Sequence, residues 1–295
     1  YFHFQINQFS NFQINIMSTV TITAAEVNKL RQETGAGIMD CKKALTETNG
    51  DFEAAIDYLR KKGAKIAANR ADREANEGVV VALTSEDGKF GCAVNLSSET
   101  DFVAKNEDFI NLAKSIADVA LAGRIKTLED LHNAQLDGVS IKDKLLDTVA
   151  KIGEKIEVKK YEVLEGEGVV AYIHMGYRMG VLVQLNLPLN DAITVAGKDV
   201  AMQIAAMNPV AVDASGVSDE MKDREKAIAR EKAIAAGKPE NILDKISEGA
   251  VQTMLKENTL LPQPFVKDGG KTVEQYLKSA DKDLTVVSFK RVTLS

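Results

Sequence analysis

The chain is sparing with the side chains that do covalent chemistry. Its imidazoles are His3, His132 and His174, its thiols are Cys41 and Cys92, and no two of them share a zinc-ligand spacing. Gly270-Lys271-Thr272 ends like a phosphate-binding loop, but that loop requires glycine where Phe265 stands. Gly35-Ala36-Gly37 lacks the third glycine and the preceding strand of a dinucleotide fingerprint. Nucleophile-elbow and zinc-protease motifs are missing. His174, at a strand end beside Gly176, has the chemistry of a general acid or base, yet a lone imidazole there more often packs or turns. One pair remains: Asp101 and Phe102 open a helix directly after a strand. A first-turn anion suits the helix dipole, and an aromatic suits a core.

Periodicity predicts the elements that carry these residues. Thr23 and Glu26 have capping-box spacing, Val27 and Leu30 start an apolar stripe, and Gly35-Ala36-Gly37 stops it. A second helix is expected from Ile38 to Thr48, burying Ile38 or Met39, Cys41 or the Lys42 stem, and Leu45. After the Asn49-Gly50 turn, Asp51 caps a third, with Phe52, Ala55, Ile56 and Leu59 on one face and Gly63 as its end. Residues 60–73 carry six Lys/Arg against one Asp, read as a solvated helix end and linker. The period then changes. Strands at 78–83 and 90–96 flank Glu86-Asp87-Gly88, a hairpin signal, and Thr100-Asp101-Phe102-Val103 leads into a helix of about 18 residues up to Gly123. A helix at 140–152 and a strand at 155–164 come next. A second hairpin (169–173 and 181–187) with a helix at 195–207 repeats this plan. Ser218 caps a charged helix, and Gly237-Lys238-Pro239 turns it into another. Met221, Ile228 and Ile234 are expected to face Ile242, Ile246 and Met254. A helix at 273–278 and a strand at 284–294 close the chain, the strand returning to the second sheet.

The fold class is therefore α+β. A three-helix module with its linker occupies 17–73. The core beyond it has two similar subdomains, 74–165 and 166–295, built from antiparallel hairpin sheets and packed helices, with a protruding helical hairpin inserted at about 214–258. Residues 1–16 hold five aromatics and no Lys, Arg, Asp or Glu, and Met17-Ser18-Thr19 reads as a start. They are taken as a disordered leader outside the fold, with an opportunistic edge strand as the other reading.

Composition narrows the function classes. The 295 residues are 45% hydrophobic and 27% charged, an ordinary globular balance that excludes collagen and wholesale disorder. No run approaches the ~18 apolar residues of a membrane span. With 37 Lys+Arg against 43 Asp+Glu, the net charge of −6 disfavours general binding to nucleic acid or anionic lipid. Two scattered thiols fit a reducing cytoplasm better than a disulfide framework.

Two long segments carry a resemblance. Residues 30–45, LRQETGAGIMDCKKAL, and 95–105, NLSSETDFVAK, are similar in sequence and order to signatures of the elongation factor Ts family. Shorter matches are His174 with Gly176, Arg178 and Gly180-Val181-Leu182, and Gln263-Pro264-Phe265-Val266 with Lys271-Thr272-Val273. The resemblance implies a guanine nucleotide exchange factor for elongation factor Tu, without covalent chemistry and without a cofactor or metal of its own. It implies that the first module, UBA-like, docks on the partner through Arg31, Ile38 and Met39. Thr100, Asp101, Phe102 and Val103 would intrude near the partner's Mg²⁺ site, with Phe102 as a wedge. His174 would lie in a second contact region, and the helical hairpin would reach another domain of the partner. A monomer and a homodimer both suit the two-part core. The competing readings are a binding scaffold without exchange activity and an enzyme pairing His174 with Asp101 or Glu99.

Overall fold

The computed structural model describes residues 21–294, and the leader at 1–16 lies outside them. Helix α1 (Ala24–Thr34) begins with the expected capping box. The Glu26 N–H donates to the Thr23 hydroxyl at 3.2 Å, and the Thr23 N–H donates to the Glu26 carboxylate at 2.7 Å. Gly35 ends it in the left-handed region at φ 68°. Helix α2 (Ile38–Glu47) buries Cys41, Ala44 and Leu45. Neither Ile38 nor Met39 is buried, against expectation. The buried Ala36, whose carbonyl accepts the Cys41 thiol, takes the space beside that stripe and leaves the first turn of α2 outside.

Helix α3 (Phe52–Asn69) leads to β1 (Glu77–Thr84), β2 (Phe90–Ser98), α4 (Asp101–Ala104) and α5 (Glu107–Ala122). The expected helix up to Gly123 is α5, and Asp101 and Phe102 open a separate one-turn helix before it. Lys105 and Asn106 divide the two, because the Asn106 side chain accepts the Asp108 N–H at 2.8 Å and caps a new start. Helix α6 (Leu128–Asn133), the small ladder β3 (Gln135–Leu136) and β4 (Val139–Ser140), α7 (Ile141–Ile152) and β5 (Glu157–Glu165) complete this half. The other half holds β6 (Gly168–His174), β7 (Met179–Leu185) and α8 (Asp191–Met207), which starts earlier than expected because Asn190 caps it. Helices α9 (Asp219–Ala235) and α10 (Glu240–Asn258), the ladder β8 (Pro264–Phe265) and β9 (Asp268–Thr272), α11 (Val273–Ala280) and β10 (Val286–Thr293) finish the chain.

Two three-stranded antiparallel sheets, ordered β1-β2-β5 and β10-β7-β6, stack face to face. Strand alternation explains the stack. Val79, Val81, Phe90, Cys92 and Val94 join Phe109, Ile116 and Leu145 under the helices. Their neighbours Val80, Ala82 and Ala93 meet Leu182 and Val292 of the opposite sheet and Leu294 just past its last strand. Val181, Val183 and Leu185 in turn pack with Val200 and Ile204 of α8. The layers run helices, sheet, sheet, helices. Gly180 permits the close approach, since a Cβ there would lie 2.9 Å from Val80 Cγ1. As expected, β10 returns to the second sheet, beside β7.

Gly63 does not end α3. It is buried where α3 crosses α7, and a Cβ would sit 2.4 Å from the Leu146 carbonyl oxygen. Beyond it, Ile66 and Ala67 pack into the core of the first sheet, while Ala55 and Leu59 belong to the module. The basic stretch is the expected helix end, to Asn69, followed by a connecting turn, but it is tied down: Arg60 pairs with Asp147 at 3.4 Å, Lys62 with Asp40 and Arg70 with Glu99. The helical hairpin also differs in its seam. Ala229 and Ala233 bury against Leu243 and Ser247, whereas Met221, Ile234 and Ile242 are exposed. Small residues four apart give the closest helix approach, and the expected 221/228/234 series drifts off that face.

Candidate functional site

Phe102 is 82% exposed, the most open of the large apolar side chains among the described residues. The core reading of this residue fails for a local reason. The one-turn α4 points Val103 toward the first core and leaves Phe102 on the outside. Asp101 beside it is held by Lys105 at 2.6 Å, and the hydrogen bond from that ammonium keeps its carboxyl below the usual carboxylate range. Thr100 turns the other way. Its hydroxyl donates to Glu154 at 2.7 Å, so it fastens the turn from beneath. Glu154, Arg70 and Lys155 were not legible as site residues, because no local spacing links them to Thr100.

His174 sits at the end of β6, its Nδ1 2.9 Å from the Tyr172 hydroxyl and its ring tilted against the Tyr172 ring. The turn after it carries three successive positive φ values, at Met175, Gly176 and Tyr177. Tyr177 anchors the turn to the first sheet: its carbonyl accepts the Val80 N–H at 2.7 Å, and Lys114 lies over its ring. Arg178 pairs with Glu77 at 3.6 Å. The His174 turn and α4 thus both border β1, whereas His174 pairs with Tyr172 and Asp101 with Lys105 rather than with each other. Among the described residues, no group of three or more His, Cys, Asp or Glu gathers that could hold a metal.

Arg31, Ile38 and Met39 are exposed on the three-helix module, Met39 at 73%. Between module and core runs an open cleft of about 810 Å³, lined by Glu33, Asp57, Arg60, Asp108 and Asp147 among others. The Gln263-Pro264-Phe265-Val266 segment is a packing device. Gln263 and Gln203 are buried and hydrogen-bonded to each other at 3.0 Å, and Phe265 stacks on Tyr276 at 4.0 Å. No helix among the described residues is long and apolar enough to cross a membrane.

The structure thus presents an exposed aromatic on a fastened turn, a second anchored turn that also borders β1, and an exposed apolar helix start on the three-helix module. The family described as Elongation factor TS matches residues 99–295. The chain is 50% identical over 273 residues to "Elongation factor Ts" of Amoebophilus asiaticus, covering 92% of this chain and 99% of that one. It is 48% identical over 273 residues to that of Christiangramia forsetii, covering 92% and 98%, and 49% identical over 276 residues to that of Cytophaga hutchinsonii, covering 93% and 99%. The chain belongs to the elongation factor Ts family, the guanine nucleotide exchange factors of translation elongation.

Proposed function

We propose that this chain binds elongation factor Tu in its GDP form and opens the nucleotide site with the Asp101–Phe102 turn. The observation that carries this is the exposure of Phe102 on a backbone fastened from below. Phe102 enters the partner as a wedge near the Mg²⁺ and phosphate groups, with Asp101 at its rim and Val103 holding its base. The three-helix module, which we read as UBA-like, docks through Arg31, Ile38 and Met39, and the His174 turn makes a second contact. The helical hairpin reaches another domain. We keep the division at 17–73, 74–165 and 166–295 as the working description, and the cytoplasm as the place of action.

Magnitudes require this breadth. A thousandfold faster release needs about 4 kcal/mol. Burying one Phe side chain supplies about 1.5–3 kcal/mol. One wedge falls short, so several contacts must act together. No covalent step is needed from the chain, since release of a bound nucleotide requires only that its contacts be weakened.

The test is stopped-flow release of labelled GDP from purified elongation factor Tu, comparing the parent chain with Asp101→Ala and Phe102→Ala. Acceleration by the parent, reduced roughly ten- to hundredfold in Phe102→Ala, is the expected result. Full acceleration by both variants removes the wedge and leaves docking elsewhere as the cause. No acceleration by any form leaves a binding scaffold.

A further inference from the structure

Beneath the Phe102 turn, two carboxylates close a set of hydrogen bonds that joins three segments remote in sequence. Glu154 lies just after α7, next to Gly153 at φ 82°. One of its oxygens accepts the backbone N–H groups of Glu99 and Thr100, each at 3.1 Å, and the other accepts the Thr100 hydroxyl at 2.7 Å. The Glu99 carboxylate accepts Arg70 Nη1 at 2.7 and 2.8 Å and the Lys155 N–H at 2.6 Å. The Lys155 ammonium donates to the carbonyls of Ala71 and Arg73, at 3.0 and 3.2 Å. The end of α3, the start of the wedge turn and the loop after α7 are thereby held as one piece.

Thr100 lends α4 no side-chain cap, and Phe102 is too exposed for its ring to fix the backbone by packing. The direction of the aromatic is therefore set by what holds the backbone beneath it: these bonds, the Ser98 hydroxyl donating to the Thr100 carbonyl at 3.0 Å, and Val103 against the core. We propose that Glu154 is a positioning residue for the exchange wedge, and that the Arg70–Glu99 pair ties the wedge to α3 and so to the docking module. This rests on the reading of Phe102 as the wedge. A carboxylate that accepts two adjacent N–H groups and a hydroxyl fixes a turn through charge-assisted bonds, which are the strong and directional ones. Misplacing a group by about 1 Å at a working site is enough to cost about a hundredfold in rate.

The experiment uses the full chain and elongation factor Tu loaded with labelled GDP, with release followed at rising factor concentration. It yields a plateau rate and a half-saturating concentration. Glu154→Ala is expected to lower the plateau about tenfold or more while the half-saturating concentration stays within about threefold. Glu154→Gln keeps an amide oxygen for the two N–H groups and is expected to restore most of the plateau. Thr100→Val, which removes only the hydroxyl bond, gives a partial loss and serves as the deciding variant where melting shows Glu154→Ala unfolded. An unchanged plateau in Glu154→Ala alongside a loss in Phe102→Ala overturns the positioning role and spares the wedge. Equal loss in the Gln and Ala variants overturns the geometric brace. An unchanged plateau in Phe102→Ala overturns the wedge and this inference with it.

Discussion

Glu99 and Phe102 flank one turn and answer to different forces. Phe102 meets mostly water, so its replacement should leave folding nearly untouched. Glu99 is largely buried, and burial alone would raise its carboxyl, yet the Lys155 N–H and the Arg70 guanidinium outweigh burial and hold it below its ordinary value of 4.5. A carboxyl lowered in the folded state contributes stability that is present above the unfolded value and is lost as pH falls through the folded one. The urea midpoint of the parent chain is therefore expected to fall more steeply below pH 4.5 than that of Glu99→Gln. Parallel acid profiles for the two would show that the pair adds nothing. Sequence reading singles out Asp101 and Phe102 by their position and takes their role from a resemblance, but it misses Glu154 and Arg70. A carboxylate that serves backbone N–H groups far along the chain leaves no spacing to read.

At the level of elements, local signals were legible and crossings were not. The Thr23–Glu26 box, the Asn49-Gly50 turn, the two main hairpins and the Ser218 cap are written in neighbouring residues, and each appears in the structure. Gly63 was misread because a glycine that ends a helix and one that lets two helices touch look alike in sequence. The structure gives a direct check. Gly63→Ala gains about 1 kcal/mol of helix propensity, but its methyl group meets the backbone oxygen of Leu146, and overpacking of that kind costs about 1–3 kcal/mol. The outcome expected from calorimetry is a lower melting temperature. A raised one would show that α3 and α7 separate at little cost. The start of α5 was legible only roughly, since an asparagine that caps a helix, as Asn106 does, and one exposed within a helix sit in much the same local sequence. The seam of the hairpin escaped because weight was given to large apolar residues, while Ala229 and Ala233 make the contact.

In the whole molecule, the helical hairpin and the layered body are joined at a small base. Ala211, Val217 and Leu255 cluster there, and Leu260 N–H donates to the Ala211 carbonyl at 2.9 Å. Replacing residues 224–250 by a short glycine-containing loop keeps this base and removes the projecting part. The layered body is expected to melt within a few degrees of the parent, because loop length changes closure entropy only slowly, about 0.6 kcal/mol per doubling. Loss of the cooperative transition would show that the hairpin supports the body after all. Exchange by the same variant should be weaker, in line with contacts spread over several sites. Reciprocity applies at this scale too: whatever weakens GDP on the partner is itself weakened equally by GDP.

The crossing of α3 over α7 also bears on how the chain comes into being. The far half of α3 needs α7, and α7 ends about 80 residues further along, so at 5–20 residues per second the ribosome delivers it roughly 4–16 s later. Through that interval the far half of α3 lacks the helix it packs on, and the core that takes Ile66 and Ala67 is incomplete, although Val27, Leu30, Cys41 and Leu59 can already gather around the upstream half. An early-made part of the fold therefore waits for a later one, and until then Ile66 and Ala67, on the otherwise basic far half of α3, are open to chaperones.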